Sequence, residues 1–260
     1  MIIRCSNRNQ AQLLEYLNKN KEVNLFFLGD IENYGISSKE VTVYMDREQE
    51  IEAAYLVYHK NLVVSSYNGK INTTFVSQLI DLYNINSING TDEALAKLEL
   101  KNFSKSPMQF AANRNYEIQD IDEEVILLKD HEQIRQYNEL CRKCFDNPNP
   151  ISDDDLFKEV EDKTSRIFAI IKDANVVSAL RLSAETSDLV MVLGVATLKE
   201  YRGRSYATQL LKGVLNELKN NNKVACLFYN DERAAKIYHK VGFKDISEYL
   251  IMREVSDEIK

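Results

Sequence analysis

A short basic turn between an apolar run and an amphipathic stretch gives the clearest chemical signal in this sequence. Residues 190–196 are apolar and bounded by polar residues, which predicts a buried strand. The turn that follows contains Arg202, Gly203 and Arg204, and apolar side chains then recur at helical spacing as far as Leu218. Free N–H groups at the start of a helix, together with the helix dipole, attract anions. The pattern therefore predicts an anion-binding site, and the alternative is a helix start with a solvated basic turn.

The same turn resembles the acyl-CoA pyrophosphate loop of the GCN5-related N-acetyltransferases (GNAT superfamily), whose pattern is R/Q-x-x-G-x-G/A. In this sequence the loop reads Arg202-Gly203-Arg204-Ser205-Tyr206-Ala207, after a lead-in of Gly194-Val195-Ala196-Thr197. Ser205 stands where the central glycine of the loop is usual. A side chain is sterically allowed there if the residue is already helical. If the pyrophosphate needs bare backbone at this point, the serine weakens binding.

A second segment, residues 227–243, resembles the motif that follows in the same superfamily, N-x-x-A-x-x-x-Y-E-K-x-G-F. Tyr238 and the Gly-Phe pair at its end fit this pattern. Counting back from Tyr238, the usual asparagine position is Asp231, with Asn230 one residue earlier. Which of these two meets the ligand is left open. Two motifs in the expected order indicate the superfamily for the C-terminal half.

The resemblance implies an N-acetyltransferase that uses acetyl-CoA as co-substrate, needs no metal and acetylates a primary amine. It assigns the pantetheine arm to the main chain of Val195, Ala196 and Thr197. It assigns the rest of the cofactor to a longer set, namely Arg202, Gly203, Arg204, Ser205, Tyr206, Ala207, Thr208, Asn230 and Asp231. It also implies that Tyr238 is the general acid for the departing thiolate, since a phenol with a pKa near 10 suits that task. The alternative for Tyr238 is an aromatic side chain packed on the sheet.

No residue stands out as the general base. The strand predicted over residues 224–229 contains no carboxylate, and Glu185 and Asp188 near the preceding hairpin are candidates that equally suit a turn. The missing base and Ser205 leave a second reading open, a CoA-binding regulatory protein with weak or no turnover. A third reading, an interaction module without cofactor, is disfavoured by the intact Tyr238 motif.

The second half of the chain contains the elements that must position these residues. Helical and alternating patterns predict, in order, a strand at 125–129, helices at 131–145 and 153–161, strands at 166–172, 176–183 and 189–196, the long helix, a strand at 224–229, a helix at 232–241 and a strand at 246–255. This order resembles the superfamily topology.

The first half predicts the same order of elements but contains no basic loop after Tyr67. We therefore expect an α+β protein of two tandem acyl-CoA N-acyltransferase-like domains, each a mixed, mostly antiparallel sheet flanked by helices. Residues 1–118 would be a degenerate copy and residues 119–260 the catalytic domain, similar to tandem acetyltransferases and glycine N-acyltransferase-like enzymes. An unrelated α/β domain at the N-terminus stays open as the alternative.

Composition limits the class of protein. At 260 residues the chain suits two domains, and its net charge of −7 disfavours nonspecific nucleic-acid binding. It contains neither an apolar run long enough to span a bilayer nor a signal-peptide core. We therefore expect a cytoplasmic protein without nucleic-acid or membrane partners, and the sequence does not predict its oligomeric state.

An acidic segment lies between the first two helices of the second half, where the superfamily lines its acceptor side. Lys158 is accompanied there by Asp146, Asp153, Asp154, Asp155, Glu159, Glu161 and Asp162. Such a segment favours a cationic acceptor, for example a polyamine, an aminoglycoside or a basic peptide. The alternative is a solvated helix face whose first-turn aspartates are stabilised by the helix dipole.

Cys141 and Cys144 form a C-x-x-C pair, a spacing used in metal and redox sites. No second cysteine pair or histidine cluster completes a zinc set. Both cysteines share a helical face with Ile134 and Tyr137, and cysteine there behaves as a small apolar residue. The sequence therefore favours core packing for both.

Overall fold

The computed structural model describes residues 1–114, 117–145 and 151–255. These residues form two compact units. Unit 1 comprises Met1–Phe110, Phe228–Asn230 and Asp245–Lys260, and unit 2 comprises Ala111–Leu227 and Asp231–Lys244. Asp146 of the acidic segment lies outside the described residues.

Both halves of the chain have the same order of elements, namely a strand, two helices, three strands, a helix, a strand, a helix and a strand. The first half contains β1 (Ile2–Arg4), α1 (Gln10–Leu17), α2 (Leu25–Tyr34), β2 (Val41–Arg47), β3 (Ile51–Tyr58), β4 (Asn61–Ser65), α3 (Thr73–Tyr83), β5 (Ser87–Thr91), α4 (Asp92–Leu95) and β6 (Phe103–Asn113). The second half contains β7 (Ile126–Leu127), α5 (His131–Cys144), α6 (Asp153–Glu161), β8 (Ser165–Lys172), β9 (Asn175–Ser183), β10 (Leu189–Thr197), α7 (Tyr206–Asn220), β11 (Val224–Tyr229), α8 (Glu232–Lys240) and β12 (Lys244–Glu254). The predicted order is confirmed in both halves.

Unit 1 contains a mixed sheet in which the strands β1, β2, β3, β4, β5 and β12 are successive neighbours. Only β4 and β5 run parallel, and the other pairs are antiparallel. The C-terminal strand β12 pairs with β5 through Tyr249–Arg253 and so belongs to unit 1. The sequence-based division had placed this strand in the second domain, because pairing between distant segments leaves no local signal.

Helices cover both faces of the unit 1 sheet, and β3 shows how the sequence places them. Ala53, Tyr55 and Val57 point to a core that contains α3 and α4, whereas Ala54 and Leu56 point to a core that contains α1 and α2. This period of two follows from the pleat of a strand. A strand buried on both faces lacks polar alternation, which explains the almost continuous apolar run of β3.

Unit 2 contains the strands β11, β10, β9, β8 and β7 as successive neighbours. Helix α5 contacts β9 and β10, and α6 contacts α5 and β8, around a core that includes Tyr137, Leu140 and Leu156. Helix α7 buries Leu210, Leu211, Val214, Leu215 and Leu218 and contacts β8, β9 and β10. Among the described residues no helix is long and apolar enough to cross a membrane.

Candidate functional site

Strand β10 changes its pairing where the predicted site begins. Its parallel register with β11 joins residues 189–191 to residues 224–226. Its antiparallel register with β9 shifts between Leu193 and Ala196, since three steps on β10 match two on β9. This is a β-bulge, which bends a strand and redirects its backbone groups. Gly194 lies in the bulge with a φ of 58°, so Val195, Ala196 and Thr197 follow a bend and lie beyond the register with β11.

Arg202 ties the turn after β10 back to that strand. Its Nε donates to the carbonyl oxygen of Thr197 at 3.0 Å, and an Nη lies 3.6 Å from Sγ of Cys144. Cys144 in turn donates to the same Thr197 carbonyl at 3.4 Å. The structure therefore brings the predicted arm residues and the first arginine of the predicted loop together.

Helix α7 begins at Tyr206 without a side-chain cap. Gln209 N donates to Ser205 O at 2.9 Å, so the helical hydrogen bonds begin there, and the N–H groups of Tyr206, Ala207 and Thr208 precede this bond. Gly203 has a φ of 78°, and a Cβ on it would meet nothing within 4 Å. The start of α7 thus has free donors, a positive dipole end and open space, which is what an anion such as a pyrophosphate needs.

Ser205 has the backbone conformation of a glycine. Its φ of 62° and ψ of 12° lie in the left-handed region, and its side chain makes no capping hydrogen bond. A side chain at this position would be free of strain only if the residue were already in the right-handed helix, which Ser205 is not. A non-glycine residue costs about 1–2 kcal/mol in this conformation, which explains why glycine is usual at this position of the loop.

Arg204 is exposed, and its guanidinium lies 5.3 Å from the ring centroid of Tyr201. Tyr201 belongs to a short 3₁₀ turn, Lys199–Tyr201, between β10 and the loop. A cation over an aromatic ring is held weakly at an exposed site. Arg204 therefore keeps its positive charge in solvent beside the start of α7.

Asp231 caps helix α8 with its side chain. Its carboxylate accepts from the N–H groups of Arg233 at 2.7 Å and Ala234 at 3.1 Å, and a hydrogen bond from the Arg233 guanidinium holds its pKa below the usual range. Asn230 is exposed and belongs to unit 1. The Asp231 carboxylate thus has a structural task, and a ligand role for Asn230 or Asp231 stays a prediction.

Tyr238 lies on α8 and is 8% exposed. Its ring meets that of Phe243 edge-on, with centroids 6.0 Å apart. Burial raises the pKa of Tyr238 to about 12, and the negative charge of Asp231 adds to this. The phenol is therefore protonated at neutral pH, as a proton donor must be, and the packing role is also present.

The two candidate bases lie at the other end of β10. Glu185 accepts from Arg166 at 2.9 and 3.0 Å and pairs with Lys223 at 2.9 Å. Asp188 precedes the first residue of β10, and its carbonyl accepts from Val224 N at 2.8 Å. Strand β10 separates both residues from Thr197 by roughly 25 Å at about 3.3 Å per residue. Both are turn residues at the end of β10 opposite the predicted site, and Glu185 belongs to an ion-pair network with Arg166 and Lys223.

Several acidic residues of the predicted acceptor segment have structural partners. Asp153 accepts from Asn138 and Arg142, and Asp155 is bonded to Ser152. The others differ in exposure. Glu159 is bonded to Arg181 and Ser165, and the exposed Glu161 lies 3.7 Å from Nε2 of His131, whereas Asp154 and Asp162 are exposed. The hypothesis of a cationic acceptor therefore rests on a smaller set of carboxylates than the sequence suggested.

Cys141 and Cys144 are free thiols that pack against the core of unit 2. Core packing is thus confirmed for both. The sequence did not predict their position beside β10, where Cys144 contacts the arm residue Thr197. The sequence also did not lead us to the bulge in β10, although Gly194 inside an apolar strand is a known signal for one.

Residues 134–243 match the model of the acetyltransferase (GNAT) family. The second half of this chain therefore contains a GNAT family segment. The matched range runs from α5 to the residue after α8 and includes every predicted site residue. Members of this family bind acyl-CoA and an amine acceptor, so a GNAT acetyltransferase activity follows at the level of the family.

Solved structures share the fold of this protein over nearly its whole length. A GCN5-related N-acetyltransferase-like protein from Streptococcus suis is 12% identical, with a TM-score of 0.64 over 96% of this chain and 100% of that one. A Drosophila protein is 10% identical, with a TM-score of 0.66 over 99% of both chains. A tandem GNAT protein from the clavulanic acid biosynthesis pathway is 9% identical, with a TM-score of 0.56 over 98% of both.

At these identities the likeness shows the fold alone, and it confirms the predicted class of two GNAT-like halves with mixed sheets. No curated protein sequence is significantly similar to this chain.

Proposed function

We propose that this protein is an acetyl-CoA-dependent N-acetyltransferase that acetylates a primary amine of a small molecule or peptide. The supporting observation is the uncapped start of α7 directly after the bent end of β10. Both features lie in the segment that matches the family model. Residues 119–260 would supply the catalytic elements, and residues 1–118 would be a degenerate copy without a cofactor loop.

Acetyl-CoA, when bound, supplies an acyl thioester as the acyl donor. The backbone N–H groups from Gly203 to Thr208 would hold its pyrophosphate, with Arg204 adding positive charge. Arg202 is anchored to Thr197 at 3.0 Å, so it fixes the loop relative to the strand. The main chain of 195–197 would hold the pantetheine arm as if it were an added strand.

Tyr238 would donate the proton that the departing thiolate needs. Burial raises its pKa to about 12, so the hydroxyl keeps its proton over the whole physiological range. Thiols have an ordinary pKa near 8.5, and a weak acid positioned within reach of a thiolate still contributes about 100- to 10,000-fold. The ring contact with Phe243 fixes the orientation of the phenol.

A CoA-binding regulatory protein with weak catalysis is the second candidate. The observation that favours it is Ser205, which holds a strained left-handed conformation in the loop that glycine usually serves. The two candidate bases, Glu185 and Asp188, lie at the opposite end of β10 from the loop, and this also favours weak catalysis. Turnover separates the two candidates.

A cationic acceptor is the finer part of the proposal. Asp154, Glu161 and Asp162 are exposed on α6 or directly after it, and the chain has a net charge of −7. Carboxylates lining one side of a cleft raise the local concentration of cations, and salt weakens this effect. We expect amine acetylation to slow with added salt, whereas salt-independent turnover of neutral amines would contradict a cationic acceptor.

The experiment that tests the proposal uses the full-length protein in two steps. Acetyl-CoA should first raise the melting temperature, because a ligand that binds the native state stabilises it by mass action. A panel of amines should then produce free CoA thiol in a continuous assay. Binding without thiol release for any amine would favour the regulatory protein, and no thermal shift with CoA or acetyl-CoA would contradict both candidates.

A further inference from the structure

The hydroxyl of Tyr137 occupies the space in the β10 bulge that a side chain on residue 194 would need. Gly194 lies in this bulge in the left-handed region, at a φ of 58°. A Cβ on Gly194 would come closer to the hydroxyl oxygen of Tyr137 than the 3.0 Å that real Cβ atoms respect, and it would lie 3.3 Å from Sγ of Cys141. The hydroxyl therefore fills the space that only a glycine leaves free.

Tyr137 is firmly held in this position. It lies on α5 with 4% exposure, in the core of unit 2, and its hydroxyl is hydrogen-bonded to the thiol of Cys141 one turn later. Burial raises its pKa well above the ordinary value, so the hydroxyl stays protonated. Burying this hydroxyl costs free energy, whereas a phenylalanine would fill the same space in the core without that cost.

The chain direction places this hydroxyl at the acyl end of the proposed cofactor site. The loop at 203–208 would hold the pyrophosphate, and the pantetheine arm would run back along β10 from Thr197 to Val195. The next residue in that direction is Gly194. The backbone groups redirected by the bulge are thus the ones that the thioester would reach.

We propose that Tyr137 is a positioning residue for the acyl group of the bound thioester. Its hydroxyl fixes Gly194 in the left-handed conformation and thereby aims the backbone groups of the bulge. This inference rests on the proposed function. It concerns the acyl end alone, because Tyr137 lies on α5 while the pyrophosphate loop lies at the start of α7. A small misplacement at a reacting centre can cost about 100-fold in rate.

The first test compares two ligands on the full-length protein and its Tyr137→Phe variant. By calorimetry, CoA should bind both proteins with dissociation constants within about twofold, since CoA lacks the acyl group. Acetyl-CoA should bind the variant about tenfold more weakly than the wild type. This is the loss expected when a backbone group of the bulge no longer makes its hydrogen bond to the acyl group. Equal changes for both ligands, or none, would overturn the inference.

The second test uses Gly194→Ala and the double variant Tyr137→Phe/Gly194→Ala, and it reads melting temperature without ligand. The single alanine meets the hydroxyl and should lower the melting temperature strongly. Without that hydroxyl the nearest atoms are Cys141 Sγ at 3.3 Å, which must shift by a few tenths of an ångström, and the ring carbon at 3.5 Å, which is an ordinary contact. The double variant should therefore melt above Gly194→Ala, and a double variant as unstable as the single one would show that the hydroxyl does not hold the bulge.

The outcomes separate this inference from the function on which it rests. A wild-type protein that binds neither CoA nor acetyl-CoA would contradict the proposed function. A wild-type protein that binds both, with a Tyr137→Phe variant identical to it for both ligands, would contradict the role of Tyr137 alone.

Discussion

Two strand–turn–helix elements occupy the same place in the two halves of this chain, and their helix starts differ. In each half a strand, β4 or β10, is parallel to the strand that follows the next helix. The N-cap residue of helix α3 is Asn72, whose Oδ1 accepts from Phe75 N at 2.9 Å. The N-cap residue of helix α7 is Ser205, whose side chain caps nothing. The first start satisfies a donor internally, and the second leaves its donors for a ligand.

The turns before the two helices differ in the same sense. In the first, Asn68 Oδ1 accepts from Lys70 N at 3.0 Å and from Ser66 Oγ at 3.1 Å, and Lys70 pairs with Glu52. In the second, Arg202 bonds to the strand end and Arg204 is exposed. One topology therefore gives a turn closed by side-chain hydrogen bonds or a turn followed by an uncapped helix start, depending on a few side chains.

The largest expected difference between the halves concerns a hydroxyl. Tyr238→Phe should lower turnover by about 100- to 10,000-fold while CoA affinity stays the same, because only the proton donor is removed. The matched control is Tyr67→Phe in the turn after β4, whose hydroxyl donates to Tyr16 O at 3.0 Å. The control should lose stability and keep turnover. Steady-state thiol release measures both, and full turnover in Tyr238→Phe would show a packing role only.

Alanine at the glycine of each turn should destabilise the two turns to different extents. Gly69→Ala should destabilise by roughly 2–4 kcal/mol, since a Cβ there would lie 2.8 Å from Glu93 O and φ is 66°. Gly203→Ala should cost only about 1–2 kcal/mol, the strain of its positive φ, because nothing lies within 4 Å. Chemical denaturation compares the two variants. An equal loss of stability would mean that the turns are equally packed.

The capping residues give the smallest effect. Asn72→Ala should destabilise by about 1 kcal/mol, because it leaves Phe75 N without its acceptor. Ser205→Ala should change stability by less than about 0.5 kcal/mol, since no cap is lost. The melting temperatures of the two variants check this. A larger loss for Ser205→Ala would indicate that its hydroxyl has a structural partner after all.

The sequence predicted the order of elements and the loop, because both depend on local patterns such as apolar periodicity and the run from Arg202. It did not predict that β12 pairs with β5, since that contact joins residues far apart in the chain. The sequence left the conformation of Ser205 open between two cases, and the bulge was missed although Gly194 inside an apolar strand is a local signal for one. Asn72 before Thr73 is a local cap signal that could have been read.

One helix start is open and the other is closed, and calorimetric titration of the full-length protein with CoA measures whether only the open start binds the ligand. Two matched variants place a carboxylate at the second residue of each helix, Ala207→Glu in α7 and Thr74→Glu in α3. The helix dipole favours both glutamates, so neither should unfold the protein.

We expect one CoA site per chain, an affinity at least about 100-fold weaker in Ala207→Glu because like charges meet, and unchanged binding in Thr74→Glu. Two sites per chain, binding that survives Ala207→Glu, or binding lost in Thr74→Glu would show that the start of α7 is not the CoA site.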